Sequence, residues 1–296
     1  MSVNVVFLLL ATLIFALYSI FMKYVPKGNL RFNIFVTVIY AGIVTLMYLV
    51  MFIFDDHKIS SATLLWAVLK GVIGIAVQTS YFAAMQSGPL SYTTFIFSSS
   101  MIIPALASPV LWNEQITLPQ WIAIALFLVA FYLICVPGAD KTKKLSKAWL
   151  PFCLSAFLLN GFGSVILKIQ QTELKGGEGN AMMFLSYGTT CIAAFLVFVI
   201  WALVKKEKIF PEDMKIKLKT ATGSIIGVAL ANGIANGFVT YLASRMSGAW
   251  LFPCVLGGSM ITVTLFSVIA LKEKINKFGK IGLVTGLVAM FVMNVI

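Results

Sequence analysis

Inside the apolar runs of this sequence, the side chains able to do chemistry are mostly hydrogen-bond donors. Lys70, Gly74, Gln78 and Tyr81 recur at i, i+4, i+8 and i+11, one face of a helix. In "SSATLLWAVLKGVIG" the lysine lies about 12 Å along its helix at 1.5 Å per residue. An ammonium at that depth either faces a cavity or snorkels to the near interface. In a cavity its chemistry is the capture of a carboxylate or phosphate, without bond making. A second pattern occurs twice. "YSIFMK" holds Tyr18, Ser19 and Lys23, and "GSVILK" holds Ser164 and Lys168, with Asn160 one turn earlier. Two readings stand open: a snorkelling anchor at each helix end, or charges guarding the two mouths of one pathway.

Other polar groups sit in apolar context. Asn232, Asn236 and Thr240 share one face, beside Gly233 and Gly237. The asparagines suit interhelical hydrogen bonds or a cavity wall, and the glycines suit close helix packing. Thr94, Ser98 and Ser99 precede Pro104, where a helix broken on its cavity side is expected. Tyr81 opens "YFAAMQSG" and Tyr241 opens the related "YLASRMSG".

The acids lie elsewhere. All ten acidic residues and the single histidine, His57, fall in loops or at span edges. No carboxylate or imidazole is expected at the membrane midplane. A lipophilic cation in low dielectric needs a counter-charge, and none is offered there. The acids, bases and ligands of a membrane-embedded hydrolase are missing too, so the chain reads as a non-enzyme with no cofactor. Cys135, Cys153, Cys191 and Cys254 all fall in apolar runs without metal-ligand spacing.

These residues need elements that hold them in lipid. The chain has 296 residues, 60% hydrophobic and only 11% charged, against about 25% charged in a soluble domain. Apolar runs of about 20 residues recur, each long enough to span a bilayer core. In lipid such runs must be helices. Ten spans are predicted: 4–25, 32–54, 62–86, 90–112, 119–137, 149–169, 181–204, 220–245, 248–271 and 278–296. The net charge of +12 comes from lysines in short loops, so the polar partner is the lipid bilayer and nucleic acid is not implied. Basic residues crowd the loops opposite the termini, from Lys23, Lys27 and Arg31 to Lys277 and Lys280. The positive-inside rule therefore places both termini outside the cytoplasm.

The second half repeats the first. "SMI" at Ser100 returns at Ser259, and "NEQI" at Asn113 aligns with "KEKI" at Lys272, each at an offset of 159. Five spans per unit make the repeat inverted, a transporter signature with a site near the midplane. The units are 1–138 and 149–296, joined by a basic linker at 139–148.

On these motifs the chain resembles the ten-helix EamA-type branch of the drug/metabolite transporter superfamily. Its marks here are the Glu-containing turns "LWNEQITLPQW" and "ALKEKINKFGK", and the small-residue turns "MQSGPLSY" and "RMSGAWLF". The resemblance implies a central cavity walled by helices 1–4 and 6–9, with helices 5 and 10 outside. It also implies a small-molecule substrate, an alternating-access cycle and residence in the cytoplasmic membrane. The protein is expected to act as a monomer, and amino-acid-like metabolites are the leading cargo. The alternatives are a passive facilitator and a multidrug exporter.

Overall fold

The computed structural model describes residues 3–54, 58–135, 146–273 and 276–293. Most of the basic linker expected at 139–148 falls outside the described residues. Among the described residues all regular structure is helical: α1 Val3–Lys23, α2 Leu30–Ile53, α3 Ser61–Ser87, α4 Leu90–Ser98, α5 Ile102–Trp112, α6 Leu118–Cys135, α7 Trp149–Glu173, α8 Gly179–Val204, α9 Glu212–Ala243, α10 Gly248–Phe252, α11 Gly258–Ile269 and α12 Lys277–Met293. Eight segments are long and apolar enough to cross a membrane, counting Leu90–Trp112 and Gly248–Ile269 as one each, and Leu118–Ala130 is a shorter apolar helix.

Local signals start these helices where the sequence supplies them. Asn29 accepts from the Phe32 amide and Ser60 from the Thr63 amide, so α2 and α3 begin with side-chain caps. The two composite segments break where chain chemistry weakens the ladder. Ser99–Met101 tightens into a 3₁₀ turn ahead of Pro104, and Pro253–Gly257 widens into a π turn. Proline brings no amide to an i→i−4 bond, so the ladder reorganises around it.

The last turns of α5 and α11 share one design. Asn113 and Lys272 adopt left-handed backbone, φ 52° and 49°. The next amide reaches back six residues, Glu114 N to Ser108 O at 3.3 Å and Glu273 N to Ser267 O at 3.1 Å. Each helix thus ends in a left-handed turn closed by a bond one residue wider than that of a Schellman motif. It fixes the direction in which each following glutamate leaves its helix.

Helix α1 packs on α9, α3 on α7 and α8, α2 on α8, and α6 on α12. Small residues permit the closest approaches. A Cβ on Gly71 would fall 2.5 Å from Thr189 Cβ, and Thr190 Oγ1 donates to Gly71 O at 2.8 Å. Backbone contact there brings α3 against α8 beside Lys70. Gly233 meets the Met47 side chain and Gly237 the Tyr48 hydroxyl, which seats α9 on α2. Outward faces carry exposed leucine, isoleucine and valine, among them Leu13, Leu65, Leu128 and Ile200. Such continuous apolar surface suits lipid contact.

Candidate functional site

A cavity of about 110 Å³ lies between α1, α2, α3, α7, α8 and α9, closed on one flank by α4 and by the π turn after α10. No described residue of α6 or α12 lines its wall. Lys70, Gly74 and Gln78 bring the helical stripe of α3 to it, and the Lys70 Nζ stands 5.3 Å from the centroid of the Tyr187 ring on α8. That cation–π contact holds the ammonium, at about 0.5–2 kcal/mol, and leaves its charge uncancelled. Among the described lining residues there is no aspartate, glutamate or histidine.

Asn232 is the polar centre of the opposite wall. Its Oδ1 accepts from the Tyr40 hydroxyl at 2.7 Å, the Tyr187 hydroxyl at 2.6 Å and Asn236 Nδ2 at 2.9 Å. One carbonyl oxygen thus ties α2, α8 and α9 together, and Tyr187 links this network to Lys70. On α7, Asn160 Nδ2 donates to Ser100 Oγ at 2.7 Å, and Ser164 Oγ returns to the Asn160 carbonyl at 3.0 Å. On α1, the Tyr18 hydroxyl donates to Gln78 Oε1 at 3.0 Å. Phe15, Phe97 and Phe252 supply apolar wall between these groups.

Stacked aromatics stand on either side of the cavity. Tyr48 and Tyr187 lie parallel, 6.2 Å between centroids, with the Tyr48 hydroxyl on Gly233 O at 2.7 Å. Beyond them a wider recess of about 410 Å³ is lined by Lys58, Glu178, Tyr241 and Arg245. On α1 and α3, Ser19 Oγ and the Tyr81 hydroxyl pair at 3.1 Å, and the Tyr81 ring stacks on Phe97 at 3.9 Å.

The structure therefore brings together Tyr18, Lys70, Gln78, Asn160, Ser164, Asn232 and Asn236 of the residues singled out from sequence. It leaves Ser19, Lys23, Tyr81, Ser98, Lys168 and Tyr241 outside the cavity wall. Ser98 and Tyr81 are buried in helix packing, and Tyr241 faces the outer recess with its ring 3.8 Å under the Arg245 guanidinium. Four polar lining residues lie outside the sequence reading: Tyr40, Ser186, Tyr187 and Thr190. Ser186 and Thr190 do show an i, i+4 spacing in "MMFLSYGTTC".

The paired lysines do a different job from either reading made of them. Lys23 Nζ donates to Met85 O at 3.0 Å and Gly88 O at 2.6 Å. Lys168 Nζ donates to Met246 O at 3.1 Å and pairs with Glu114 at 2.8 Å. Lys23 thus takes up carbonyls at the C-terminal end of α3, and Lys168 takes up one in the turn between α9 and α10. Lys168 is only 3% exposed, so it is not a snorkelling anchor. Glu114 also accepts from Ser247 Oγ at 3.0 Å and the Gly248 amide at 3.1 Å. Glu273 makes the related contact in the other half, accepting from the Leu90 amide at 2.7 Å and Ser91 Oγ at 2.8 Å. Both glutamates thus hold the start of a helix in the opposite half, where a carboxylate suits the free amides.

Residues 3–136 match the model of the EamA-like transporter family. No curated protein matches the sequence. A solved crystal structure aligns over 98% of this chain and 96% of its own, with a TM-score of 0.66 and 12% identity. At that identity the likeness is one of fold alone.

Proposed function

We propose that the chain, which matches the EamA-like transporter family over residues 3–136, is a membrane protein of the drug/metabolite transporter superfamily and a secondary transporter of small anionic or zwitterionic metabolites, amino-acid-like cargo first among them. The observation that carries this reading is the Lys70 ammonium in a central cavity whose described lining has no acid. Such a site attracts a carboxylate or phosphate and repels a permanent cation. That arrangement disfavours the multidrug-cation alternative.

The proposed architecture is two inverted five-helix repeats, working as a monomer in the cytoplasmic membrane by alternating access. Three features support it. Exchanging α1 with α7, α2 with α8, α3 with α9 and α6 with α12 turns the α3–α7 pair into α9–α1 and leaves α2–α8 and α6–α12 unchanged. The left-handed helix endings before Glu114 and Glu273 repeat at an offset of 159 in the sequence. Each glutamate then crosses to the other half, and by chain order the two contacts fall on opposite faces of the bundle. An inverted repeat accounts for all three.

A thermal-shift screen of the purified protein against metabolites of differing charge tests the cargo class. Carboxylates and amino acids should raise the midpoint by mass action, as a ligand that binds only the folded state does. Stabilisation by lipophilic cations, with no response to any acid, would overturn the assignment.

A further inference from the structure

Gln78 lines the cavity and is 4% exposed. Its Oε1 is occupied by the Tyr18 hydroxyl, while its Nε2 has no acceptor. Exchanging the amide oxygen and nitrogen would leave the oxygen without a donor instead, so one polar atom is stranded in either orientation. The neighbouring Ser19 and Tyr81 hydroxyls are engaged with each other. A buried amide donor without a partner is costly, and it acquires a purpose when a ligand supplies the acceptor. Lys70 and Gln78 stand on one face of α3, eight residues apart in the sequence. Their backbones are therefore separated by about 12 Å of rise, a span that the flexible lysine chain shortens.

We propose that Gln78 is a second recognition group, donating through Nε2 to an oxygen of the cargo remote from the acid group that Lys70 holds. The proposal rests on the anionic-cargo reading above. It narrows the class to small acids with a carboxylate or phosphate at one end and a neutral oxygen acceptor at the other. The intervening part is apolar, to suit Phe15, Val77 and Phe97. Gln78 is thus a specificity-determining residue, because an analogue lacking the acceptor leaves the amide stranded.

Binding of straight-chain acids of graded length, each with and without a ketone near the far end, tests this on the purified full chain. At the best-fitting length the keto acid should bind about tenfold more tightly than its parent, the equivalent of one good hydrogen bond. Gln78→Leu should abolish that preference, so that keto acid and parent bind alike. Gln78→Met serves as a second variant should the leucine protein fold poorly. A keto preference that survives loss of the amide, or no preference at any length in the unsubstituted protein, overturns the proposal. Lys70→Met should weaken both members of each pair alike. If Lys70→Met changes neither, the anionic-cargo reading fails, whatever Gln78 does.

Discussion

Replacing Lys70 with methionine should weaken carboxylate or phosphate cargo by ten- to a hundredfold and leave a neutral analogue nearly unaffected. The size follows from the medium. Two unit charges about 4 Å apart are worth about 1 kcal/mol in water and about 4 kcal/mol at an effective dielectric of 20. Desolvation of both partners consumes part of the difference, and each 1.4 kcal/mol kept is about tenfold in affinity. Methionine keeps the length of the side chain and much of its contact with Tyr187, so the charge is what is removed. Binding of one charged and one neutral cargo to both proteins measures the effect. Equal losses for both would mean that Lys70 only props α3 against α8.

The second large effect belongs to the Glu114 contact, and it falls on stability. Removing one partner of a buried ion pair strands the other, at about 3–5 kcal/mol. Glu114 has a side chain 22% exposed while that of Lys168 is 4% exposed, so Glu114→Gln should cost about 3 kcal/mol, the low end of that range. Lys168→Met should cost less, because Ser247 and Gly248 still serve the carboxylate. Neither change should alter the ratio of charged to neutral cargo bound. Acid should reproduce the loss. Burial alone would raise the Glu114 pKa, but Lys168 outweighs it, and with Ser108 and Ser247 it holds the carboxyl below its ordinary range. A group lowered in the folded state stabilises fully above its unfolded pKa, about 4.3 for glutamate, and that stability fades as pH falls through the folded value. Thermal midpoints across this window should drop less steeply in Glu114→Gln than in the unsubstituted protein. A variant with unchanged midpoint and unchanged acid profile would remove the contact from the account.

Much of this was legible because lipid imposes simple constraints. Apolar length gave the helices, and the offset of 159 gave the related turns. The stripe through Lys70 and Gln78 survived because helical periodicity is local. What failed needed three dimensions. Lys23 and Lys168 look like anchors or gates along one helix, yet their partners are carbonyls some 60–80 residues away. Tyr81 belongs to the same stripe as Gln78, but stacking on Phe97 takes it into the packing. Tyr40 and Tyr187 carry no spacing signal, because an isolated tyrosine in an apolar run is most simply core. Only the convergence of their hydroxyls on Asn232 marks them.

Alternating access is the central claim, and counterflow is its most direct measurement. Purified protein in sealed vesicles would be loaded with an unlabelled acid chosen from those that shift its thermal midpoint, then diluted into a trace of the same acid carrying label. A carrier that exposes one cavity to each side in turn exchanges the two, so label should accumulate transiently above its external level. The rate should saturate with concentration, and Lys70→Met should reduce it. Uptake that rises linearly, never overshoots and ignores the internal acid would contradict the account and identify a passive pathway.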